Sequence, residues 1–318
     1  MAVNDKISQA DYNSVRTKLV DVIGPGSSNF GWGQTVYSTP VAEGNKVTIN
    51  EWANLGYDII NAYKHIYGTN PTLASPLEGG NIRYSTTFTP ATTDSPITQF
   101  DTYANTIVSN RFTVHSTQSF TTNKGSVSQT WPGTLGTQWT SKIQCLVTVN
   151  FTDATQARYF FNSGGLIRFL STQSGGSGYA QNTSWRNLLA SVGQAGFGGG
   201  TNSYTVDPND GANFYRCTNT FVNPALTFTA SNPYSANEFR IFARTPGVVD
   251  NSNGTASTIE FLVEWNDAHV GIAGGPDRVD GTFTLSLSTL TASGVLVPVG
   301  TGTFVTETPS VTINPITL

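Results

Sequence analysis

Three histidines and two cysteines are the residues of this 318-residue chain best suited to metal or nucleophilic chemistry. His65, His115 and His269 are far apart in sequence, and none sits in a metal-ligand spacing. His65 falls late in an amphipathic helical stretch, where a positive charge suits the helix dipole. Cys145 and Cys217 each lie in a strand-like run. Two free, buried or half-buried thiols are expected, with a bridge between them as the alternative. Asp207-Pro208-Asn209-Asp210-Gly211 and Asp277-Arg278-Val279-Asp280-Gly281 bunch oxygen ligands of the kind calcium takes. Neither matches the helix-flanked calcium loop, and turn chemistry accounts for both. The run Gly196 to Thr201 lacks the Lys-Ser/Thr ending of a phosphate loop, and no Gly-x-Ser-x-Gly elbow occurs. Paired carboxylates for glycoside hydrolysis would have to come from distant strands of a chain with only 20 acidic residues. Trp32, Trp131 and Trp139 read as exposed aromatics able to stack on sugars, although core or subunit contact is the favoured role. No enzyme activity, metal or cofactor is therefore expected.

Charged residues make up 11% of the chain, against about 25% in an average soluble domain. Ser, Thr, Asn and Gly take their place, which gives a polar surface with little repulsion between copies. The net charge is −4, and Lys and Arg are scattered singly, which argues against nucleic acid as a partner. Met1 to Lys6 lack the charged-then-apolar pattern of a signal peptide, and no apolar run approaches the ~18 residues of a membrane span. The expectation is a protein that contacts no membrane and is made and kept in a cytoplasm, or leaves it by lysis. The tripeptides at Asn150, Asn182 and Asn253 match the glycosylation pattern, which means nothing without secretion.

Two amphipathic helices are predicted near the N-terminus. Residues 8–24 carry Tyr12, Val15, Leu19 and Val22 on one stripe, with Ser8 as cap and Gly24-Pro25-Gly26 as stop. Residues 51–67 carry Trp52, Leu55, Ile59 and Tyr63, with Thr48 or Asn50 as cap and Gly68 as stop. Read as an antiparallel helical hairpin, residues 1–75 form a docking module too small to bury both stripes alone. Its cover is either this chain's own β region or another subunit. The Pro- and Gly-rich run from Pro71 to Pro96 favours another subunit, with Tyr12, Val15, Leu19, Trp52, Leu55, Ile59 and Tyr63 as the candidate interface. Residues 76–110 read as a linker holding one short helix around 99–110.

From Arg111 the hydrophobic period changes to two. Strands are predicted at 125–131, 138–151, 221–230, 238–244, 257–265, 281–291 and 295–305, separated by turn residues. The aromatic run Ala157 to Phe161 followed by Asn162-Ser163-Gly164-Gly165 predicts a β-hairpin with Leu166–Thr172 as its second strand. One short helix is inserted at 184–192, capped by Ser184 and stopped by Gly193. The tail from Pro309 to Leu318 reads as an edge strand or as an arm pairing with another subunit. The predicted fold is mainly β: residues 111–318 form an antiparallel, jelly-roll-like β-sandwich, preceded by the helical hairpin.

Two stretches carry a family resemblance. The N-terminal Tyr12-Asn13-Ser14-Val15, Ile23-Gly24-Pro25-Gly26, Phe30-Gly31-Trp32-Gly33-Gln34 and Ile49-Asn50-Glu51-Trp52-Ala53-Asn54-Leu55 resemble the opening of virion structural proteins of tailed phages, notably contractile-tailed phages of marine cyanobacteria. The segment Phe160-Phe161-Asn162-Ser163-Gly164-Gly165, continuing to Ile167-Arg168-Phe169, is similar to one that recurs in the same proteins. The resemblance implies a non-enzymatic virion component of tail, neck or baseplate, such as a fibre-docking adaptor, assembled in the bacterial host cytoplasm. Its implied partners are other virion proteins and copies of itself. A capsid decoration protein is the first alternative. A receptor- or glycan-binding tail module with hydrolase activity, recognising a host-surface glycan through the Trp and Tyr residues, is the second.

Overall fold

A computed structural model describes residues 8–26, 30–73, 77–78, 81–82, 96–134, 139, 141–200, 213–221, 224–269, 278–294 and 305–318. The predicted strand at 295–305, apart from Val305, and the run Asp207 to Gly211 lie outside them. The chain divides into two compact units. The first comprises Met1–Phe120, Arg158–Gly164 and Ala292–Thr306, and the second Thr121–Ala157, Gly165–Thr291 and Glu307–Leu318.

Helix α1 (Gln9–Ile23) starts where the Ser8 hydroxyl accepts the Asp11 N–H at 3.1 Å. Helix α2 (Ile49–Tyr67) opens on a reciprocal capping box between Thr48 and Glu51 and stops at Gly68, which takes the left-handed conformation at φ 76°. Strands β1 (Leu77–Glu78) and β2 (Asn81–Ile82) form a short antiparallel ladder. Helix α3 (Pro96–Ser109) begins on a proline, which the first helical turn tolerates because the N–H that proline lacks would have no helical partner there. Ile97, Phe100, Ala104 and Ile107 recur at helical spacing along α3 and are all buried.

Helix α3 packs against both α1 and α2. Phe100 stacks on Trp52 with ring centroids 4.3 Å apart, and Lys18 pairs with Asp101 at 2.6 Å. That ion pair is partly exposed and contributes at most about 1 kcal/mol; the buried apolar stripes hold the bundle. The expectation that α1 and α2 need a third surface is met inside the chain. Tyr12, Val15, Leu19, Trp52, Leu55 and Ile59 are buried in this three-helix core, and Tyr63 packs on Tyr67 and Tyr103 with centroids 4.4 and 5.3 Å away. They are therefore not an open subunit interface. The helical module does not end at residue 75 but continues through α3. Deleting residues 1–75 is expected to strip α3 of its partners and abolish cooperative unfolding of the first unit, measured by circular dichroism melts. A shortened chain that keeps the native helical signal per residue would contradict this.

The remaining elements are β3 (Ser119–Trp131), β4 (Lys142–Asn150), α4 (Ala154–Asn162), β5 (Leu166–Ser174), α5 (Ala180–Val192), β6 (Gln194–Phe197), β7 (Pro224–Thr229), β8 (Glu238–Arg244), β9 (Thr258–Asn266), β10 (Gly281–Ala292) and β11 (Ser310–Ile313). They build a four-stranded sheet in the order β3-β10-β5-β6 and a five-stranded sheet in the order β11-β4-β9-β8-β7. Alternation along β4 buries Ile143, Cys145, Val147 and Val149 on one face, as their period of two requires. The two inner faces meet: Phe169 on β5 contacts Phe261 on β9 with centroids 4.9 Å apart, and the Trp265 indole N–H donates to Ser171 Oγ at 2.9 Å. The tail is an edge strand of its own sheet, with Val311 opposite Val149.

The antiparallel sheets expected of the β region are present, and among the described residues five α-helices stand beside them, so the fold is mixed α/β. The largest departure from expectation is Ala157 to Asn162, which is helix α4 and not the first strand of a hairpin. Asp153 caps it, its carboxylate accepting the Gln156 N–H at 2.9 Å. Ala157, Phe160 and Phe161 then fall on one buried face at helical spacing. Gly164, at φ 92°, still makes the turn into β5, but from a helix. The inserted helix α5 starts earlier than predicted, at Ala180, so Ser184 lies inside it and is not its cap.

Candidate functional site: a buried junction of the two motif stretches

The two stretches that carry the family resemblance meet in the first unit. After α1 the chain doubles back, and residues 32–34 run along the helix end. The Trp32, Gly33 and Gln34 N–H groups donate to the carbonyls of Val22, Gly24 and Ile23 at 2.8, 2.9 and 2.7 Å. This satisfies carbonyls that the end of α1 leaves without helical partners. The Trp32 side chain is fully buried, and its indole N–H is shared between the carbonyls of Arg111 and Asn162 at 2.8 Å each. The Asn162 amide returns a hydrogen bond to the Gly31 carbonyl at 2.9 Å. Gly31 and Gly33 are dictated by this closeness. A Cβ on Gly31 would lie 2.0 Å from the Gly24 carbonyl oxygen, and one on Gly33 2.4 Å from the Tyr159 ring. The glycines flanking Trp32 therefore admit backbone to a packed junction and do not mark an exposed loop.

His65 completes the junction. Its ring lies 4.3 Å from the Trp32 ring, and Nε2 sits 2.8 Å from the Ser163 carbonyl oxygen. That contact requires the proton on Nε2. Nδ1 is then a bare acceptor, buried and without a partner among the described residues. Burial pushes the imidazole down to about 4, against the opposing pull of the Ser163 carbonyl. The helix-dipole role expected for a charged His65 is thus corrected: the ring is neutral and wedged into the core.

Nearby, the Asp58 carboxylate on α2 accepts the N–H groups of Tyr37 and Ser38 at 2.8 and 3.0 Å. Burial raises its proton affinity, and the hydrogen bonds from Ser38 and Tyr37 and the positive charge of Arg16 oppose that rise. In the second unit Asp280 plays the same part. It accepts the Ser177 N–H at 2.9 Å, the Ser177 hydroxyl at 2.6 Å and the Asn182 amide. Burial raises its affinity for a proton, but those hydrogen bonds outweigh burial and hold the carboxyl below the usual range. The oxygen-rich turn around Asp280 is accordingly a loop anchor, the role turn chemistry assigned it.

Trp131 and Trp139 do not stand out in solvent either. They are buried with Trp185 and Phe283, with Trp139 centroids 5.6 and 5.4 Å from those two rings. All three tryptophans weighed as sugar platforms are core. Cys145 and Cys217 are free and buried, and burial pushes both thiols up to about 12, which removes the thiolate that nucleophilic chemistry needs. His115 caps a short helical turn, its Nδ1 accepting the Thr117 N–H at 3.2 Å. The His269 N–H donates to Asn237 Oδ1 at 2.9 Å. Among the described residues no group of three His, Cys, Asp or Glu side chains converges to hold a metal ion, and no helix is long and apolar enough to cross a membrane.

Sequence reasoning missed the edge of the four-stranded sheet. Among the described residues β3 has a strand neighbour on one side only, β10. Its 13 residues are exposed or half-exposed at every position but Trp131. The outer face beside it is mostly uncharged, with Ser128 bonded to Thr284 and Thr130 to Thr282 at 2.8 and 2.7 Å, and the Arg168 guanidinium on β5 donating to Thr121 Oγ1 at 3.4 Å. The five-stranded sheet differs on its outer face, where Glu264 meets Arg240 at 3.3 Å and Lys142 at 3.5 Å, and Glu260 meets Arg244 at 2.5 Å.

No protein-family model, no curated protein and no solved structure matches this chain.

Proposed function

We infer that this chain is a non-enzymatic structural subunit of a tailed-phage virion, a component of tail, neck or baseplate built on a jelly-roll-like sandwich. The observation that carries the reading is the long edge of β3, open among the described residues. A free strand edge is a template for pairing with another chain, and proteins that work as monomers usually blunt it with charge, proline or a short strand. Here Lys124 is the only charged residue in the strand, and its ammonium group donates to the Pro309 carbonyl. Support also comes from the resemblance of the two motif stretches, which meet at one buried junction. Asp58 in the first unit and Asp280 in the second spend their hydrogen bonds on fixing loops, as suits a rigid building block. Copies of this chain and other virion proteins are the partners, and the host cytoplasm is the place of assembly.

Imaging of intact particles carrying a labelled copy tests the location. Label on the tail, neck or baseplate is expected, and label only on the capsid shell would favour a decoration protein instead. The edge has its own test. Thr121→Lys together with Ser126→Lys places charge at two exposed positions of β3. The double variant is expected to keep the wild-type melting temperature and lose self-association in sedimentation velocity and incorporation into particles. Unchanged association would remove β3 as the interface.

A further inference from the structure

We propose that the cleft between helix α5 and the turn at residues 229–234 is a binding site for an uncharged saccharide. The cleft lies wholly within the second unit and encloses about 400 Å³. That is within the range of small-ligand sites, about 300–1,000 Å³.

Its lining selects the ligand class by what it contains. None of the side chains around it is charged, so neither phosphate nor carboxylate nor a cation would find a counter-charge there. Ser184 and Asn187 on α5 face Thr229, Ser231, Asn232 and Tyr234 across the opening. Among the described residues none of these six side chains makes a hydrogen bond within the protein, so their capacity is left for water or a ligand in the cleft. Hydroxyl and carboxamide groups both donate and accept, which matches the paired donor and acceptor character of sugar hydroxyls. Leu188 and Pro233 add an apolar strip, and the Tyr234 ring offers a face for the C–H side of a pyranose.

The frame is fixed before any ligand arrives. Ala230 N–H donates to the Asn237 carbonyl at 2.9 Å, Tyr234 N–H to Ser231 at 3.0 Å and Asn237 N–H to Tyr234 at 2.9 Å. The Tyr234 ring sits edge-on to His269 with centroids 4.7 Å apart. Preorganisation of this kind lowers the ordering cost of binding. The proposal stands apart from the virion reading and from the buried tryptophans. No carboxylate lines the cleft, so the site binds and does not hydrolyse.

The test is saturation-transfer NMR on the full chain with glucose, galactose, mannose, N-acetylglucosamine and their disaccharides. A second arm measures retention of the chain on immobilised neutral bacterial polysaccharide. Transfer to at least one free sugar, or retention on the polysaccharide, is expected, and the arm that responds tells a soluble sugar from a surface one. Asn187→Ala alters an exposed position of α5 and Ser184→Trp a half-buried one at the cleft, and an unchanged melting temperature confirms that each variant folds. Each is expected to weaken binding tenfold or more. No signal in either arm overturns the proposal, as does binding that both folded variants retain at wild-type strength.

Discussion

Replacing Trp32 by alanine is expected to destabilise the first unit by on the order of 4 kcal/mol, the range for deleting a fully buried tryptophan. Part of that loss is cavity, because the His65 ring 4.3 Å away loses its neighbour. Part is polar: the Arg111 and Asn162 carbonyls lose the N–H they share. Trp32→Phe separates the two. It keeps an aromatic body and removes the donor with only part of the ring volume, so a smaller loss of about 1–3 kcal/mol is expected. A typical domain is stable by only about 5–15 kcal/mol, so the alanine variant sits close to unfolding at ambient temperature. Urea titration followed by far-ultraviolet circular dichroism measures both. A loss below about 1 kcal/mol for alanine would show that the junction around Trp32 does not hold the first unit together.

Much of the helical frame was legible in sequence because its signals are local. Ser8 and Thr48 are strong caps, Gly68 is a left-handed stop, and the α1 and α2 stripes repeat at helical period. The alternation along β4, β8 and β9 was legible for the same reason. Where local signals competed, the weaker prior misled. Tyr159-Phe160-Phe161 has strand composition, yet Asp153 followed three residues later by Gln156 is a cap pattern, and capping with a helical stripe won. Pro96 read as part of a linker although proline suits the first turn of a helix, so the short helix expected near 99–110 was given too late a start and was not recognised as the cover over α1 and α2. Gly31 and Gly33 suggested an open loop around Trp32, whereas they are there because backbone and ring approach too closely for a Cβ. The junction itself could not be read from spacing. Trp32 and Asn162 lie 130 residues apart, and nothing local ties them. The cleft beside α5 was equally silent, since Ser184, Asn187 and Thr229 look like any solvated polar surface until the fold brings them to one opening.

The junction should also make the protein acid-sensitive through one group. An unfolded histidine titrates near 6.5, and burial holds His65 down to about 4 in the folded chain. A depressed folded value means that the neutral ring is the form the fold accepts. Its stabilising contribution is therefore complete above about pH 6.5 and is lost as pH falls from there through 4. The difference corresponds to on the order of 3 kcal/mol at the acid end of that window. The atomic reason is that protonation would place a second N–H on Nδ1, buried with no acceptor among the described residues, while Nε2–H is already committed to Ser163. Carboxylates titrate in the lower part of the same window, and Asp58 and Asp280 are shifted in opposite directions. The isolating measurement is thus a difference between wild type and His65→Gln, whose amide can still donate to the Ser163 carbonyl and does not titrate. Urea titrations at pH 7.5, 6, 5 and 4 are expected to bring the two proteins' stabilities together as pH falls, wild type losing on the order of 3 kcal/mol more than the variant. Parallel pH profiles for the two proteins would mean that His65 reaches water in the folded chain and that its burial against Trp32 does not persist in solution.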